Sequence, residues 1–215
     1  MDLYFSPLSC SLGSRIALYE ADLTARFIEV DPKTKRTSAD TSYLDLHPLG
    51  LVPFLRTDDD KHLSENAAIL QYIADQRPAL QLAPAAGFAR SQLQQWLCFI
   101  GTELHKALFM PLLDIKANDA VKAYAITKGR KSLDHVARHL QEREYLLDGF
   151  SVADAYLFAV LNWTAVTPLK LSDWPSLVAY HKRLAQRPAI ARAMQEEVAL
   201  YKRAQAPRSD DVAQP

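Results

Sequence analysis

The first 80 residues alternate between short apolar runs and a helical spacing of apolar positions. Residues 3–5 form an apolar run that ends at Pro7, which predicts a short buried strand. Apolar positions then recur with helical spacing from residue 11 to about residue 22, and a second apolar run follows at residues 27–30. A strand, a helix and a strand with short links predict a right-handed parallel βαβ unit.

Two further strands are predicted at residues 53–56 and 62–64. The acidic turn between them is short, which predicts an antiparallel pair. A helix over residues 67–76 follows, with Ser64 or Asn66 as the expected cap and Pro78 as the end. The polar residues before these strands, 31–47, are expected to be irregular, with one helical turn at 39–46. The pattern up to Pro78 is therefore βαβ-ββα.

The pattern becomes helical throughout after an Ala- and Pro-rich stretch at residues 80–87. Pro111 is expected to stop the first long helix, and Gly129 to weaken the second. Ser151 and Asp154 have the spacing of a capping box in front of an apolar run. The predicted helices cover residues 88–110, 118–145, 151–166, 176–185 and 189–201.

These patterns predict two domains and a tail. Residues 1–80 are expected to form an α+β domain, and residues 87–202 are expected to form an all-α helical domain. Residues 203–215 are polar, contain two prolines and are expected to be flexible.

Charge and cysteine content narrow the classes of function. The chain has 215 residues, 49% of them hydrophobic, and its 25 basic residues balance its 25 acidic residues. A formal net charge of zero argues against a surface for nucleic acid or for an anionic membrane. There are only two cysteines, and no signal-peptide pattern or membrane-spanning apolar stretch is evident, so a reducing, cytoplasmic compartment is expected.

Cys10 lies where the first predicted strand has ended and the first helix begins. A thiol at a helix N-terminus meets free N–H groups and the positive end of the helix dipole, which lower its pKa and favour the thiolate. The alternative is a small buried apolar side chain, which is the role of most free cysteines. Because the motif reads Cys-Ser-Leu-Gly and not Cys-x-x-Cys, redox chemistry at Cys10 needs a thiol from outside the chain.

Two other segments could contact a ligand through their backbone. Pro53 opens a strand and could follow a cis bond, with extended Val52 pairing with a peptide-like ligand, although an ordinary trans proline is the simpler interpretation. Ser64, Glu65 and Asn66 open a helix whose free N–H groups suit a carboxylate, and the Glu65 side chain could pair with an amine. Simple helix capping is the alternative interpretation.

His105 is the candidate for acid–base chemistry on the long predicted helix. It could act as a general base or as the partner of a thiolate, and the alternative is a satisfied structural histidine. Cys98 lies on the same flank of this helix and is interpreted as structural. No residues have the spacing of a metal site and no Gly-rich phosphate loop is present, so no metal or cofactor is predicted.

Five segments, in this order and spacing, resemble those of glutathione S-transferases, specifically of the bacterial beta class. The similarity extends from residue 3 to about residue 201. The resemblance implies a thioredoxin-like N-terminal domain, an all-α C-terminal domain and a homodimer. The segments that carry it are residues 9–12, 47–53, 65–73, 102–106 and 150–157.

The resemblance also implies roles for individual residues. Cys10 is implied to face the glutathione sulfur and to be able to form a mixed disulfide with it, while His105 approaches the sulfur from the helical domain. These two are the implied catalytic residues. The residues implied to bind glutathione are Cys10, Lys35, Leu51, Val52, Pro53, Glu65, Asn66, Glu103 and Lys106.

Each part of glutathione has an implied contact. The backbone of Val52, which precedes the implied cis-proline, pairs with the cysteinyl unit. Glu65 and Asn66 hold the γ-glutamyl end. Lys35 lies near the glycyl end.

The chain departs from the family pattern at three positions. Asn66 stands where the family usually has Ser or Gly, and Leu51 stands where a Gln often precedes the Val-Pro pair. Cys98 stands where an Asn is common. Cys10 and His105 are both retained.

The function predicted from the resemblance is conjugation of reduced glutathione, as a co-substrate, to small apolar electrophiles in detoxification. The first alternative is a glutathione-dependent thiol–disulfide oxidoreductase that uses a Cys10 mixed disulfide. The second is a non-catalytic binding protein that kept the fold, which the residues Asn66, Leu51 and Cys98 favour. The expected partners are glutathione, the electrophile and a second copy of the chain, without nucleic acid or membrane.

Overall fold

The computed structural model describes residues 1–205, which fold as a four-stranded sheet with two helices followed by a helical part. The strands are β1 (Asp2–Phe5), β2 (Arg26–Glu29), β3 (Phe54–Arg56) and β4 (His62–Ser64). The helices are α1 (Ser11–Glu20), α2 (Asn66–Asp75), α3 (Gly87–Phe99), α4 (Met110–Leu113), α5 (Asp119–His139), α6 (Val152–Leu161), α7 (Pro175–Ala185) and α8 (Pro188–Gln205). Short 3₁₀ turns occur at Pro78–Leu80, Asn162–Val166 and Leu171–Asp173.

The strand order in the sheet is β2-β1-β3-β4. β1 pairs in parallel with β2 and antiparallel with β3, so that Leu3 lies opposite Phe27 on one side and Leu55 on the other. β3 and β4 are antiparallel. All of β1 is buried because it lies inside the sheet, which agrees with its apolar run. The βαβ-ββα arrangement, of thioredoxin-like type, and the helical part after it are as predicted.

α1 joins the sheet to the helical part of the chain. Eight of its ten residues are buried, because it packs against α2, α6 and α8 as well as the sheet. Its close approach to α6 occurs at Gly13, where a Cβ would lie 3.2 Å from the Tyr156 Cα and 3.3 Å from the Ala155 carbonyl oxygen. A larger side chain at Gly13 would therefore force the two helices apart.

α6 is buried along its whole length, and the predicted capping box at its start is confirmed. The N–H and the hydroxyl of Ser151 both donate to Asp154 Oδ2 at 2.9 Å. The other oxygen of this carboxylate accepts from the Leu146 N–H at 2.9 Å and from the Tyr180 hydroxyl at 2.8 Å. Asp154 thus satisfies four donors in the core and secures the helix that packs on α1.

The long helix does not stop at Pro111, so that prediction is wrong. α3 continues through a π-helical segment, Ile100–Phe109, into α4. Pro111 lies in the first turn of α4, where a missing N–H is tolerated. The π-helical segment lies close to α5 at Gly129, where a Cβ would lie only 2.8 Å from the Leu108 Cβ.

The segment between β2 and β3 contains no regular helix, but a single helical turn lies at the end of the range predicted for it, 39–46, because the His47 N–H donates to the Tyr43 carbonyl oxygen at 2.9 Å. Earlier in the segment, the Asp31 carboxylate accepts from the N–H groups of Lys33 at 2.7 Å and Thr34 at 3.0 Å, which favours a turn. Tyr43 is completely buried in this segment and packs on the ring of Tyr4. Side-chain bonds and one buried aromatic residue therefore shape this loop.

Two predicted boundaries also differ. α5 ends at His139 rather than near residue 145. α8 continues through Gln205, so residues 203–205 of the predicted tail are helical, and the rest of that tail lies outside the described residues. None of the helices within residues 1–205 is both long enough and apolar enough to cross a membrane.

Candidate functional site

Cys10 lies immediately before the first turn of α1, with a backbone that is already helical (φ −61°, ψ −20°). Its side chain is only 6% exposed. The Cys10 Sγ donates to the carbonyl oxygen of Val52 across a distance of 3.3 Å. The thiol therefore faces the loop that precedes β3 rather than bulk solvent.

The Cys10 thiol is protonated at neutral pH. Burial raises the pKa of Cys10 to about 12, and the nearby Glu65 carboxylate adds to the rise. The charge of Lys106 and the backbone N–H groups of Cys10 and Ser11 act in the opposite direction. The prediction of a lowered thiol pKa is wrong, because the cost of desolvating a thiolate outweighs the effect of the helix terminus.

Two side chains from the C-terminal half of the chain hold the loop that precedes Cys10. Leu8 in this loop has a left-handed backbone, with φ 59°. Its N–H donates to Glu197 Oε2 at 2.7 Å, and its carbonyl oxygen accepts from Trp163 Nε1 at 2.9 Å. Glu197 is completely buried and also accepts from Arg15 Nε at 2.9 Å. Burial raises the pKa of Glu197 to about 7, although Arg15 lowers it.

Glu197 and Trp163 are not among the predicted site residues. Glu197 lies on the buried face of α8 together with Ile190 and Ala193. The sequence could have revealed it, because a carboxylate at a position where the helical spacing expects an apolar residue is unusual. Trp163 is buried, as a core tryptophan would be, and only its N–H contact distinguishes it.

The loop that faces Cys10 contains a cis peptide bond between Val52 and Pro53. The resemblance implies this bond, and the simpler interpretation as a trans proline is wrong. The carbonyl oxygen of Leu51 accepts from the Tyr43 hydroxyl at 2.7 Å, while the Leu51 side chain is 46% exposed. The loop therefore turns the Val52 carbonyl toward Cys10 and leaves the side chain before it accessible.

Lys35 lies against the start of the same loop. Its Nζ donates to the carbonyl oxygen of Gly50 at 3.0 Å. Lys35 and Gly50 both have left-handed backbones, with φ 57° and φ 59°. The lysine is therefore close to the Val52–Pro53 bond in space, with its amine engaged by the loop.

Glu65 and Asn66 lie at the N-terminus of α2 in opposite environments. Glu65 is exposed and has φ 67°, and no side chain caps α2, so the predicted capping by Ser64 or Asn66 is wrong. Asn66 is buried instead: its Oδ1 accepts from the Ser14 hydroxyl at 2.7 Å, and its Nδ2 donates to the Cys10 carbonyl at 3.1 Å. The Asn66 side chain therefore links α1 to α2, while the first N–H groups of α2 lack partners within the helix.

His105 lies on the π-helical segment and is buried, with 7% of its surface exposed. Its Nδ1 lies 2.8 Å from the Tyr156 hydroxyl, and the ring of Trp163 packs against it at 5.0 Å between centroids. Burial lowers the pKa of His105 to about 4, and the charge of Lys106 adds to this effect. His105 is therefore neutral at pH 7 and carries one ring proton.

The charged residues on either side of His105 are exposed. The charge of Lys106 acts on both Cys10 and His105, so its amine lies near both. Glu103 is exposed and contacts the Thr102 hydroxyl at 3.5 Å, and no contact within residues 1–205 joins it to Cys10. Cys98 is exposed rather than packed, so its interpretation as a structural residue is wrong.

Tyr156 is a further residue that the fold brings next to His105. Burial raises the pKa of Tyr156, the neighbouring Cys10 adds to the rise, and the nearby Asn66 side chain opposes it. Tyr156 lies in the apolar run of α6 and was not predicted as a site residue. The sequence could have indicated it, because the hydroxyl of a buried tyrosine needs a polar partner. Among the described residues, no group of three or more His, Cys, Asp or Glu side chains could hold a metal ion.

Two family models match the chain. The model described as the N-terminal domain of glutathione S-transferase matches residues 9–76, and the model described as its C-terminal domain matches residues 100–188. The chain is also similar to the glutathione S-transferase GstA of Escherichia coli O157:H7, with 36% identity over 199 residues. That alignment covers 92% of this chain and 98% of the relative.

Solved structures of similar proteins share the fold. A bacterial beta class glutathione S-transferase of Sphingomonas chungbukensis is 39% identical, with a TM-score of 0.88 over 92% of this chain and 98% of that one. A sphingomonad glutathione S-transferase complexed with glutathione is 40% identical, with a TM-score of 0.88 and the same coverage of 92% and 98%.

Proposed function

The chain belongs to the glutathione S-transferase family, and we propose that it conjugates the sulfur of reduced glutathione to small apolar electrophiles, in detoxification. The observation that carries this proposal is that three elements of the fold lie next to the Cys10 residue. The N-terminus of α1, the cis Val52–Pro53 loop and the N-terminus of α2 all lie against Cys10. An extended γ-glutamyl tripeptide has a backbone, carboxylates and a thiol that match these elements.

The backbone groups of the site suit the tripeptide. Extended glutathione pairs with the backbone of Val52 in the manner of an added strand. The free N–H groups at the start of α2 bind the γ-glutamyl carboxylate, and the exposed Glu65 carboxylate binds the amine beside it. Lys35 and Lys106 supply positive charge for the glycyl carboxylate.

The Asn66 side chain takes no part in this binding. Both ends of its amide are committed to Ser14 and to the Cys10 carbonyl. The γ-glutamyl end is therefore held by the backbone of Asn66 and by Glu65. Leu51 likewise contributes only its main chain, because its side chain is apolar and exposed.

Cys10 acts as a hydrogen-bond donor to the glutathione sulfur rather than as the nucleophile. Its pKa is raised to about 12, whereas an ordinary thiol has a pKa of about 8.5. A proton shared between the two sulfurs therefore stays on Cys10, and the negative charge stays on glutathione. In the free protein the Cys10 Sγ–H donates to the Val52 carbonyl oxygen. When the backbone of the ligand binds that carbonyl, the Sγ–H donates to the glutathione thiolate instead.

His105 stabilises the same thiolate from the π-helical segment, and the exposed side chain of Met110 just after this segment offers an apolar surface to the electrophile. The buried rings of Trp163 and Phe109 pack next to each other, at 5.7 Å between centroids, and Trp163 packs on His105, so these two rings support the histidine from behind. Holding thiolate and electrophile side by side supplies much of the rate gain through proximity.

The two alternatives have less support. A disulfide oxidoreductase needs Cys10 as an attacking thiolate, which the raised pKa of Cys10 disfavours. A non-catalytic binding protein is favoured by the departures at Asn66, Leu51 and Cys98. However, Asn66 leaves the α2 N-terminus open, and Cys98 is exposed and makes no contact with Cys10 within residues 1–205.

Conjugation assays on cysteine variants test the proposal. The Cys10→Ser variant is expected to keep part of its activity with glutathione and an activated chloroarene, because serine still donates a hydrogen bond. Cys98→Ser is the matched control, since it removes an exposed thiol, and it should behave as the parent protein does. Loss of all conjugation in Cys10→Ser, together with disulfide reductase activity in the parent, would instead support the oxidoreductase.

Binding of glutathione separates both enzymes from the binding protein. A crystal soaked with glutathione should contain the tripeptide antiparallel to Val52, with its sulfur near Cys10. Empty density at high glutathione concentration, with the fold intact by circular dichroism and no retention on glutathione-agarose, would overturn the proposed function.

The proposal extends to the assembly and the setting of the protein. We assign residues 1–80 to a glutathione-binding domain and residues 87–202 to a helical domain, and we expect a homodimer. A cytoplasmic location suits a chain whose two cysteines, Cys10 and Cys98, are both free. Glutathione and the electrophile are the expected small-molecule partners, without nucleic acid or membrane.

A further inference from the structure

The ring of His105 has one nitrogen engaged by the protein and one free for a ligand. Nδ1 lies 2.8 Å from the Tyr156 hydroxyl, in the interior of the cluster. Within residues 1–205 no hydrogen bond engages Nε2. The chemistry that His105 can perform therefore depends on whether its single proton is on Nε2 or on Nδ1.

The direction of the bond between Tyr156 and His105 decides this question. A phenol is a stronger acid than a neutral imidazole N–H, so the phenol is the better donor and the bare ring nitrogen is the better acceptor. Both groups are neutral at pH 7, because burial raises the pKa of Tyr156 and lowers the pKa of His105. Tyr156 therefore donates to Nδ1, which places the ring proton on Nε2.

The Asn66 amide does not compete for this bond. Its Oδ1 accepts from the Ser14 hydroxyl, and its Nδ2 donates to the Cys10 carbonyl oxygen. The hydrogen of the Tyr156 hydroxyl is therefore available to His105.

We propose that Tyr156 is a positioning residue that makes His105 a hydrogen-bond donor, with its proton on Nε2. The Tyr156 hydroxyl donates to Nδ1, and Nε2–H donates in turn to the glutathione thiolate and stabilises it. This role rests on the proposed function, whereas the hydrogen-bond directions hold in the free protein. His105 is then a thiolate partner and not a general base.

Nitrogen NMR of the free protein, with its histidines labelled with ¹⁵N, tests the assignment without any ligand. The two neutral tautomers of histidine give different patterns of coupling between ring nitrogens and ring carbon-bound hydrogens. The pattern of His105, identified by its absence in His105→Gln, should be that of the Nε2–H form at pH 7. An Nδ1–H pattern would overturn the proposal.

Tyr156→Phe removes the hydroxyl and keeps the ring. His105 should then populate both tautomers, and the pKa of the bound glutathione thiol, measured from thiolate absorbance, should rise by about one unit. The pH profile of kcat/KM should shift upward with it, and kcat/KM at pH 7 should fall about tenfold. A purely structural role would lower stability and leave both the tautomer and the thiol pKa unchanged, which would also overturn the proposal.

Tyr180→Phe is the matched control for the loss of a buried phenol. The Tyr180 hydroxyl donates to Asp154 at 2.8 Å, away from His105. This variant should lose stability but keep the Nε2–H pattern and the thiol pKa of the parent protein.

If the parent protein shows the Nε2–H form yet never binds glutathione, the proposed function fails and the hydrogen-bond assignment stands.

Discussion

Replacing Glu197 with glutamine should remove a pH dependence from the stability of this protein. Glu197 is completely buried on α8 and accepts hydrogen bonds from the Leu8 N–H and from Arg15. Glutamine has the same shape and keeps one carbonyl oxygen as an acceptor, but it cannot titrate. The variant therefore separates the charge of Glu197 from its packing.

The size of the effect follows from the shifted pKa. Burial raises the pKa of Glu197 from 4.5 to about 7, against the lowering effect of Arg15. Between these values the folded protein retains a proton that the unfolded chain has released, so the free energy of unfolding falls as the pH rises. A shift of this size corresponds to about 3 kcal/mol, which is fully present below the unfolded pKa and lost once the pH exceeds the folded pKa.

Urea unfolding at a series of pH values between about 5 and 8 measures this dependence. The free energy of unfolding of the parent protein should decline relative to that of Glu197→Gln by most of the 3 kcal/mol expected, about 2–3 kcal/mol, over this range. Glu196→Gln is the control, because Glu196 also pairs with Arg15 at 2.9 Å but is partly exposed. That variant should keep the decline of the parent.

An identical pH dependence in the parent and in Glu197→Gln would refute this reasoning. Glu197 would then be ionised throughout the range, which means that its pairing with Arg15 outweighs the cost of burying the carboxylate. The same conclusion would follow if the free energy of unfolding fell more steeply with decreasing pH in the parent than in Glu197→Gln.

Three further predictions concern the core and the thiol. Gly129→Ala should lower the free energy of unfolding by about 1–3 kcal/mol in urea, because its Cβ would overlap the π-helical segment, whereas Gly149→Ala, with open space around it, should not. Ser151→Ala should cost about 1 kcal/mol or more through loss of the α6 cap, and equal stability would contradict that role. Iodoacetamide at pH 7 should label exposed Cys98 well before Cys10, as read by mass spectrometry, and Cys10 labelling should still be rising at about pH 10. A plateau of Cys10 labelling near neutral pH would contradict its raised pKa.

The order of strands and helices in this chain follows from local patterns. The apolar run of β1 and the helical spacing of α1 depend on residues within a few positions of each other. The capping box of α6 is equally local, since Ser151 and Asp154 are three residues apart and their side chains meet once the helix forms. These features were predictable because each is decided by near neighbours in the sequence.

The boundaries that were mispredicted depend on packing between distant elements. Pro111 was expected to end a helix, but the helix continues because the proline falls in the first turn of α4 after a π-helical segment. Gly129 was expected to weaken α5, and it is instead the position where α5 accommodates Leu108 of that segment. Neither arrangement is visible from the residues beside Pro111 or Gly129.

The candidate site shows the same division. Cys10, Glu65 and Asn66 were located at helix N-termini from the sequence, and the resemblance added the cis Val52–Pro53 bond. Tyr156 and Glu197 were missed as site residues, because they meet their partners His105 and Leu8 across 51 and 189 positions of the chain. The first contact forms only when α6 packs on the π-helical segment, and the second only when α8 packs on the loop before α1.

The sequence by itself determined that a thiol would stand at the start of α1. Only the tertiary structure decided what that thiol is at neutral pH. The helix terminus favours the thiolate, but burial and the nearby Glu65 carboxylate raise the pKa of Cys10 to about 12. Burial depends on groups supplied by distant parts of the chain, so the protonation state of Cys10 is a property of the fold and not of its neighbours in sequence.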